Sequence, residues 1–324
     1  MESPIRYPSL PSARHIRLRL RVRHLELLLA LDSQRSLHKA ATHLNMTQPA
    51  ASKLLREIED QFGLPLFNRS KQGVDPTVFG TALLHKASLL LTELDAVRDE
   101  LDSLARGASG RIRLGALQAV LPVTVPRALA LLREEYPGIV VMMQEGANDT
   151  LLAALMRGEL DCIVARLIAR SPQASLHREV LYEEPVCVVG RAGHPLEQVT
   201  SISPEMLARQ PWILPPQEAP LRQTIDSYFI THGLTPPLAV VESISLLGNE
   251  VLLRNSDLIG AMPRVVAEYY EKQNTLSILK FTPDWKLAPI GVMTRLDAPR
   301  SPALERLLEA LRTVAHGLRE DSGR

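Results

Sequence analysis

Three observations predict an α+β chain of several domains. Residues 22–62 read as three short helices, followed by a basic hairpin. Residues 77–105 hold no proline, and their apolar residues recur at alternating steps of four and three. Beyond residue 110, strand-like and helix-like stretches alternate. The expected order is therefore a winged helix-turn-helix, a long linker helix that also serves dimerisation, and an α/β body of two sub-domains.

The stretch Leu37–Arg56 carries the first observation. Leu37, Ala40, Ala41 and Leu44 give one short helix an apolar edge, and Asn45-Met46 interrupt it. Thr47 is suited to cap the next helix, and Pro49 fits its first turn, where a missing N–H costs nothing. By 3.6-residue geometry Ala51, Leu54, Leu55, Ile58 and Phe62 share a side expected to be buried. Gln48, Ser52 and Arg56, spaced i, i+4, i+8, line the opposite side, with Lys53 beside them. That row suits a helix laid in a DNA major groove: Gln pairs bidentately with adenine, Arg and Lys with guanine, and Ser admits close approach. A helical hairpin with a solvated polar face is the alternative that the same pattern allows.

Bulk composition narrows the class. Hydrophobic content of 45% and charged content of 23% are those of a globular protein. No apolar run approaches the roughly 18–20 residues of a membrane span, and the basic N-terminus leads into no apolar signal core. Cys162 and Cys187 lie in strand-like apolar runs and read as buried, inert thiols; a cytoplasmic location is expected. Residues 1–80 hold 12 Lys and Arg against 7 Asp and Glu, while the remainder holds 25 against 29. A basic N-terminal module on a mildly acidic body fits a nucleic-acid reader joined to something else.

The elements follow in order. Residues 1–20 form a basic N-terminal extension, expected to be flexible, since three prolines in the first eleven positions argue against a stable helix. Its arginines (14, 17, 19, with 21 and 23 following) either touch phosphates or belong to a disordered leader. Residues 21–78 are the winged helix-turn-helix, with a first helix over Val22–Ser33. Leu66–Thr77 reads as a strand, a basic glycine-containing turn and a return, a wing in which Arg69 and Lys71 are placed to meet phosphates. Residues 79–106 form the linker helix. Its seam of Leu83, Ala87, Leu90, Leu94, Val97, Leu101 and Leu104 matches a two-helix coiled coil. A homodimer, or packing on the chain's own body, would cover it.

Residues 107–110 are a hinge. Strands are then expected at 111–116, 139–144, 161–165, 178–190, 212–214, 239–242, 258–262, 276–279 and 287–294. Helices are expected up to Tyr136 and at 149–157, 221–232, 246–254, 263–272 and 302–318, leaving a tail at 319–324. The alternation implies largely parallel sheets.

This order, and above all the string Ala40-Ala41, Leu44, Thr47-Gln48-Pro49-Ala50-Ala51-Ser52, Leu55, Glu59, Phe62-Gly63, Leu66-Phe67-Asn68-Arg69, Thr77 and Gly80, resembles the LysR-type transcriptional regulators. Later punctuation agrees: Tyr136-Pro137-Gly138, Gly158-Glu159-Leu160-Asp161, His194-Pro195-Leu196 and Gly260-Ala261-Met262-Pro263. The resemblance covers residues 21–318. It implies an effector-binding domain (111–318) like a periplasmic binding protein, with sub-domain I at 111–166 and 270–318 and sub-domain II at 167–269. It also implies homodimers joined through the linker helix, paired into homotetramers on double-stranded promoter DNA, with RNA polymerase as a partner if the protein activates. There are departures. The N-terminal extension is long, Asp75 puts an acid in the wing, and Ala116-Leu117-Gln118 stands where the family commonly carries Ser or Thr. The two cysteines do not match the pair of the family's peroxide sensors.

On this reading Gln48, Pro49, Ser52 and Lys53 meet bases. Ser36, Thr47, Arg56 and Arg69 hold the backbone, with Leu37, Lys39 and Lys71 also at the DNA. Effector candidates sit at strand ends: Leu117 and Gln118, Arg166, Pro215 and Pro216, Ser243 and Ser245. Ser243 and Ser245 flank a helix start, which favours an anion. Arg166 either forks onto a carboxylate or forms a surface ion pair. The expected effector is a small organic or aromatic acid, and the expected targets are catabolic or transport genes. No cofactor or metal is expected. The nine histidines show no H-E-x-x-H spacing, and G-x-S-x-G, P-loop and G-x-G-x-x-G motifs are absent, so catalysis is not expected. A solute-binding protein with an unrelated helical N-terminal domain is the competing reading.

Overall fold

The computed structural model describes residues 10–70, 73–105, 110–168 and 175–322. The first unit comprises residues 1–102 and 157–159; the second is built from residues 103–156 and 160–324.

The first unit opens with α1 (Ala13–Arg19), against the expectation of no helix before residue 20. All three leader prolines precede Ser12, whose hydroxyl accepts from the His15 N–H at 3.3 Å and starts the helix. Then come α2 (Val22–Gln34), α3 (Leu37–His43) and α4 (Gln48–Phe62). Leu27, Leu28, Leu31, Ala40, Ala41, Ala51, Leu55 and Ile58 make their common core. Leu54 and Phe62, assigned to that core by periodicity, are only half-buried. The break between α3 and α4 is made by Asn45 in the left-handed region (φ 52°), which a short polar side chain tolerates. The wing is the antiparallel pair β1 (Phe67–Ser70) and β2 (Gly73–Pro76); the turn residues Lys71 and Gln72 lie outside the described residues. The linker helix α5 spans Val78–Ala105, about 40 Å at 1.5 Å per residue. Gly80 is required near its start, because a Cβ there would stand 2.0 Å from the Leu66 carbonyl oxygen.

The second unit is a mixed sheet flanked by helices. Its strands are β3 (Gly110–Ala116), β4 (Ile139–Glu145), β5 (Cys162–Arg166), β6 (Leu176–Arg191), β7 (Trp212–Leu214), β8 (Ala239–Glu242), β9 (Ile259–Pro263), β10 (Leu276–Ile278) and β11 (Lys286–Arg295). They run in the order β4-β3-β5-β11-β6-β9-β7-β8, with β10 also on β6. The outer pairs β3–β4, β3–β5, β7–β8 and β7–β9 are parallel; β11 and β6 pair antiparallel with their neighbours. The expectation of largely parallel sheets therefore fails at the centre, where two long strands link the halves.

Period-two alternation explains the layers. Cys162 and Val164 face one core with Leu132 of α6 (Thr124–Glu135) and Leu307 and Leu311 of α12 (Pro302–Ser322). Ile163 and Ala165 face another, with Leu151 and Leu155 of α7 (Asn148–Met156). In the other half Val186, Val188 and Trp212 pack on Leu207 of α8 (Pro204–Ala208) and Phe229 of α9 (Pro220–Thr231). Cys187 and Val189 pack on Leu253 of α10 (Leu246–Arg254) and Val266 of α11 (Arg264–Lys272).

Sequence places the crossings between halves near Arg166 and residue 270. The strands place them elsewhere: β6 pairs with β11 through its first part and with β9 and β10 through its second. The return falls between β10 and β11. The last helix runs to Ser322, so the tail expected from residue 319 is mostly helical. α8 is too short for a periodicity to reveal.

Candidate DNA and effector sites

The candidate DNA-facing row is built by capping and packing. The Thr47 hydroxyl accepts from the Ala50 N–H (3.4 Å) and Ser36 from the Lys39 N–H (3.4 Å), so both candidates serve as N-caps. With Ala51, Leu55 and Ile58 inward, Gln48, Pro49, Lys53 and Arg56 are exposed and Ser52 is half-exposed. Lys39 is exposed too, whereas Leu37 packs half-buried on the helical core and offers little to a base. Gly63 ends α4 at φ 65°.

Glu59 then fixes the wing: one carboxylate oxygen accepts from the Leu66 N–H (2.8 Å) and the Phe67 N–H (3.2 Å). This brings Arg69 to the recognition helix, where its guanidinium donates to Ser52 Oγ at 3.4 Å. Asp75 is not a free acid. It pairs with Arg35 at 3.3 Å, and the Arg35 carbonyl accepts from the Val74 N–H. Its charge is thus partly spent as a brace between α2 and the wing. Lys71 lies outside the described residues.

On α5 the seam divides. Leu83 packs half-buried on the helical core and Ala87 is buried, but Leu90, Leu94, Val97 and Leu101 stand 49–62% exposed. The side chain of Leu104 lies outside the described residues.

The effector candidates gather at strand ends. Leu117 and Gln118 follow β3, whose last pairing with β5 sets Ala116 opposite Val164, two residues before Arg166. Gln118 Oε1 accepts from the Leu246 N–H at the start of α10 (3.3 Å). Ser245 caps that helix through the Gly248 N–H (3.1 Å), and Ser243 Oγ accepts from the Ser245 N–H (3.1 Å). The helix start invoked for an anion is therefore largely satisfied by the chain itself. Pro215 and Pro216 are half-buried after β7; the Pro215 carbonyl accepts from Arg222 (3.2 Å), which is buried and bonded to Asp226.

Arg166 is not a plain surface ion pair. Its Nε and Nη2 both reach Glu184 Oε2 at 2.6 Å, and Glu184 is buried. Asn148 holds the Arg166 backbone by both its N–H (3.0 Å) and its carbonyl (3.1 Å). Burial pushes the Glu184 carboxyl above its ordinary range, against the pull of Arg166. Beside it, the Tyr182 hydroxyl shares a 2.8 Å hydrogen bond with Thr124. Sequence reasoning missed Glu184, although the acidic pair Glu183-Glu184 inside an apolar strand was a signal. It also missed Asn249 on α10, whose Oδ1 is buried without a hydrogen-bond partner.

The thiols fit the inert reading: burial raises both, Cys187 to about 12. Among the described residues no cluster of His, Cys, Asp or Glu is placed to hold a metal, and no helix is long and apolar enough to cross a membrane.

A winged helix-turn-helix with an exposed polar row, followed by a body of two linked sheets, defines a DNA-binding regulator with an effector domain. Residues 22–81 match the bacterial regulatory helix-turn-helix proteins of the lysR family, and residues 105–316 match the LysR substrate binding domain. The chain belongs to the LysR family of transcriptional regulators. It is 30% identical to the HTH-type transcriptional regulator GbpR of Azospirillum brasilense over 94% of this chain and 90% of GbpR. It is 31% identical to the HTH-type transcriptional regulator PcaQ of Agrobacterium fabrum over 92% and 96%. Its fold is similar to that of a full-length OxyR variant from Pseudomonas aeruginosa (TM-score 0.62, 22% identity, 92% of this chain and 97% of that one). It is also similar to CbnR (TM-score 0.60, 18% identity, 91% and 99%).

Proposed function

We propose that this regulator binds specific double-stranded DNA as a homodimer, paired into a homotetramer, and switches in response to a small organic or aromatic acid. The observation that carries the DNA half is the exposed row Gln48, Ser52, Lys53 and Arg56, with Arg69 drawn onto Ser52. Gln48, Ser52 and Lys53 meet base edges; Arg56, Lys39 and Arg69 meet phosphates. A CbnR structure is a complex with its target DNA, which supports the assignment by likeness of fold. The exposed seam of α5 supports the dimer, since four large apolar side chains recurring at heptad spacing call for a partner helix.

The effector reading rests on Arg166, whose guanidinium is partly exposed at the end of β5, with Gln118 after the end of the adjacent β3. The targets on this reading are catabolic or transport genes, and an activating form would contact RNA polymerase. An electrophoretic shift on the DNA upstream of the chain's own reading frame, with and without candidate acids, tests it. A shift altered by an acid supports the reading; no shift at low salt contradicts it.

A further inference from the structure

We propose that a carboxylate effector takes Arg166 from Glu184, and that Glu184 binds one proton as it is displaced. This rests on the carboxylate-effector reading above and adds a coupling of effector binding to pH. Both short contacts of the pair, the Nε hydrogen bond and the Nη2 approach, fall on one oxygen of Glu184, and no bond of Nη1 is seen among the described residues. The guanidinium retains 23% exposure, so it can be reached, while Glu184 retains 2%. Arg166 lies two residues past Val164 on β5, and Gln118 two residues past Ala116, the partner of Val164 on β3; the Gln118 amide oxygen accepts from the Leu246 N–H at the start of α10, so an incoming anion meets the pair at the strand ends.

A guanidinium prefers a forked carboxylate to a single oxygen. Once the ligand takes the fork, Glu184 is left a buried anion without its cation, and such a group neutralises. Among the described residues no second cation is paired with Glu184. On its own strand stands Tyr182, bonded to Thr124 of α6, and opposite it on β11 is apolar Leu287. The adjacent Lys286 is exposed and paired with Asp284. The exchange balances: ligand carboxylate plus one solvent proton plus the Arg166–Glu184 pair gives an Arg166–ligand pair and a neutral Glu184 acid.

The test is calorimetric titration of the full chain with sodium benzoate and sodium gluconate, with benzamide as the neutral control. Each is run in two buffers of different ionisation enthalpy between pH 8 and pH 6. Wild-type protein is expected to take up one proton per carboxylate and to gain about tenfold in affinity per pH unit lowered. Glu184→Gln is expected to lose that slope and to bind more tightly at pH 8. Wild-type binding with no proton uptake and no pH slope overturns the exchange and leaves the carboxylate reading standing. Failure of both acids to bind at any pH overturns that reading and the exchange with it. The two-buffer measurement on wild type stands even where Glu184→Gln does not fold.

Discussion

Gln48 is the residue on which the proposed base recognition turns: exposed, at the first position of α4, which Thr47 caps. Gln48→Ala should weaken specific binding by about 1–3 kcal/mol and relax one base position, read by binding to a panel of single-base operator variants. Arg69→Ala should instead weaken binding to all sequences alike and reduce the salt slope by about one. His24 is buried, its Nδ1 accepting from the Arg21 N–H. Burial, with Arg21 adding, holds it below its ordinary value, opposed by Glu57. Its folded-state value is depressed, so the neutral form stabilises the fold. That contribution is full above about pH 6.5 and is lost as pH falls further. Urea melts of wild type and His24→Gln at pH 7.5 and pH 5.5 should show the smaller acid loss in the variant. At this scale the sequence makes Gln48, Ser52 and Arg56 legible, because helical periodicity alone sorts them from Ala51 and Leu55. It leaves Glu184 obscure, because its partner is 18 residues away on another strand and only the register brings them together.

At the scale of elements, the wing hangs on Glu59, whose carboxylate holds two backbone N–H groups of the entry to β1. Glu59→Ala leaves both without that acceptor and should cost about 1–3 kcal/mol in urea unfolding. Glu59→Gln, which keeps an acceptor oxygen, should cost less. Replacing exposed Leu94 and Leu101 together by Asp should leave the helix-turn-helix folded but dissociate the proposed dimer, as read by sedimentation velocity. An unchanged sedimentation coefficient would exclude the seam as the dimer contact. The heptad spacing was legible because it is local and uninterrupted. Helix α1 was not, since the proline count of the whole leader hid that every proline precedes Ser12. His194-Pro195-Leu196 shows why a family motif can be structural. Nδ1 of buried His194 accepts from the Leu196 N–H, so Nε2 carries the proton and donates to the Asp257 carbonyl.

For the whole molecule, the strand–helix alternation disclosed an α/β body but not its strand directions. Parallel and antiparallel strands of Val and Ile look alike when both faces are covered. The sixteen residues of β6 serve two sheets in turn, so no break in composition marks the passage between sub-domains. The thiols of Cys162 and Cys187 should stay unreactive toward a disulfide reagent at pH 8 until the chain is unfolded, and peroxide should leave DNA affinity unchanged. The central claim is sequence-specific DNA binding through α4. Fluorescence anisotropy on a labelled duplex from the region upstream of the chain's own reading frame, beside a shuffled duplex, tests it most directly. Wild type should prefer the native duplex, and Gln48→Ala should cut that preference by about 1–3 kcal/mol while binding the shuffled duplex as before. Equal wild-type affinity for both duplexes, or an unaltered preference in the variant, would contradict the account.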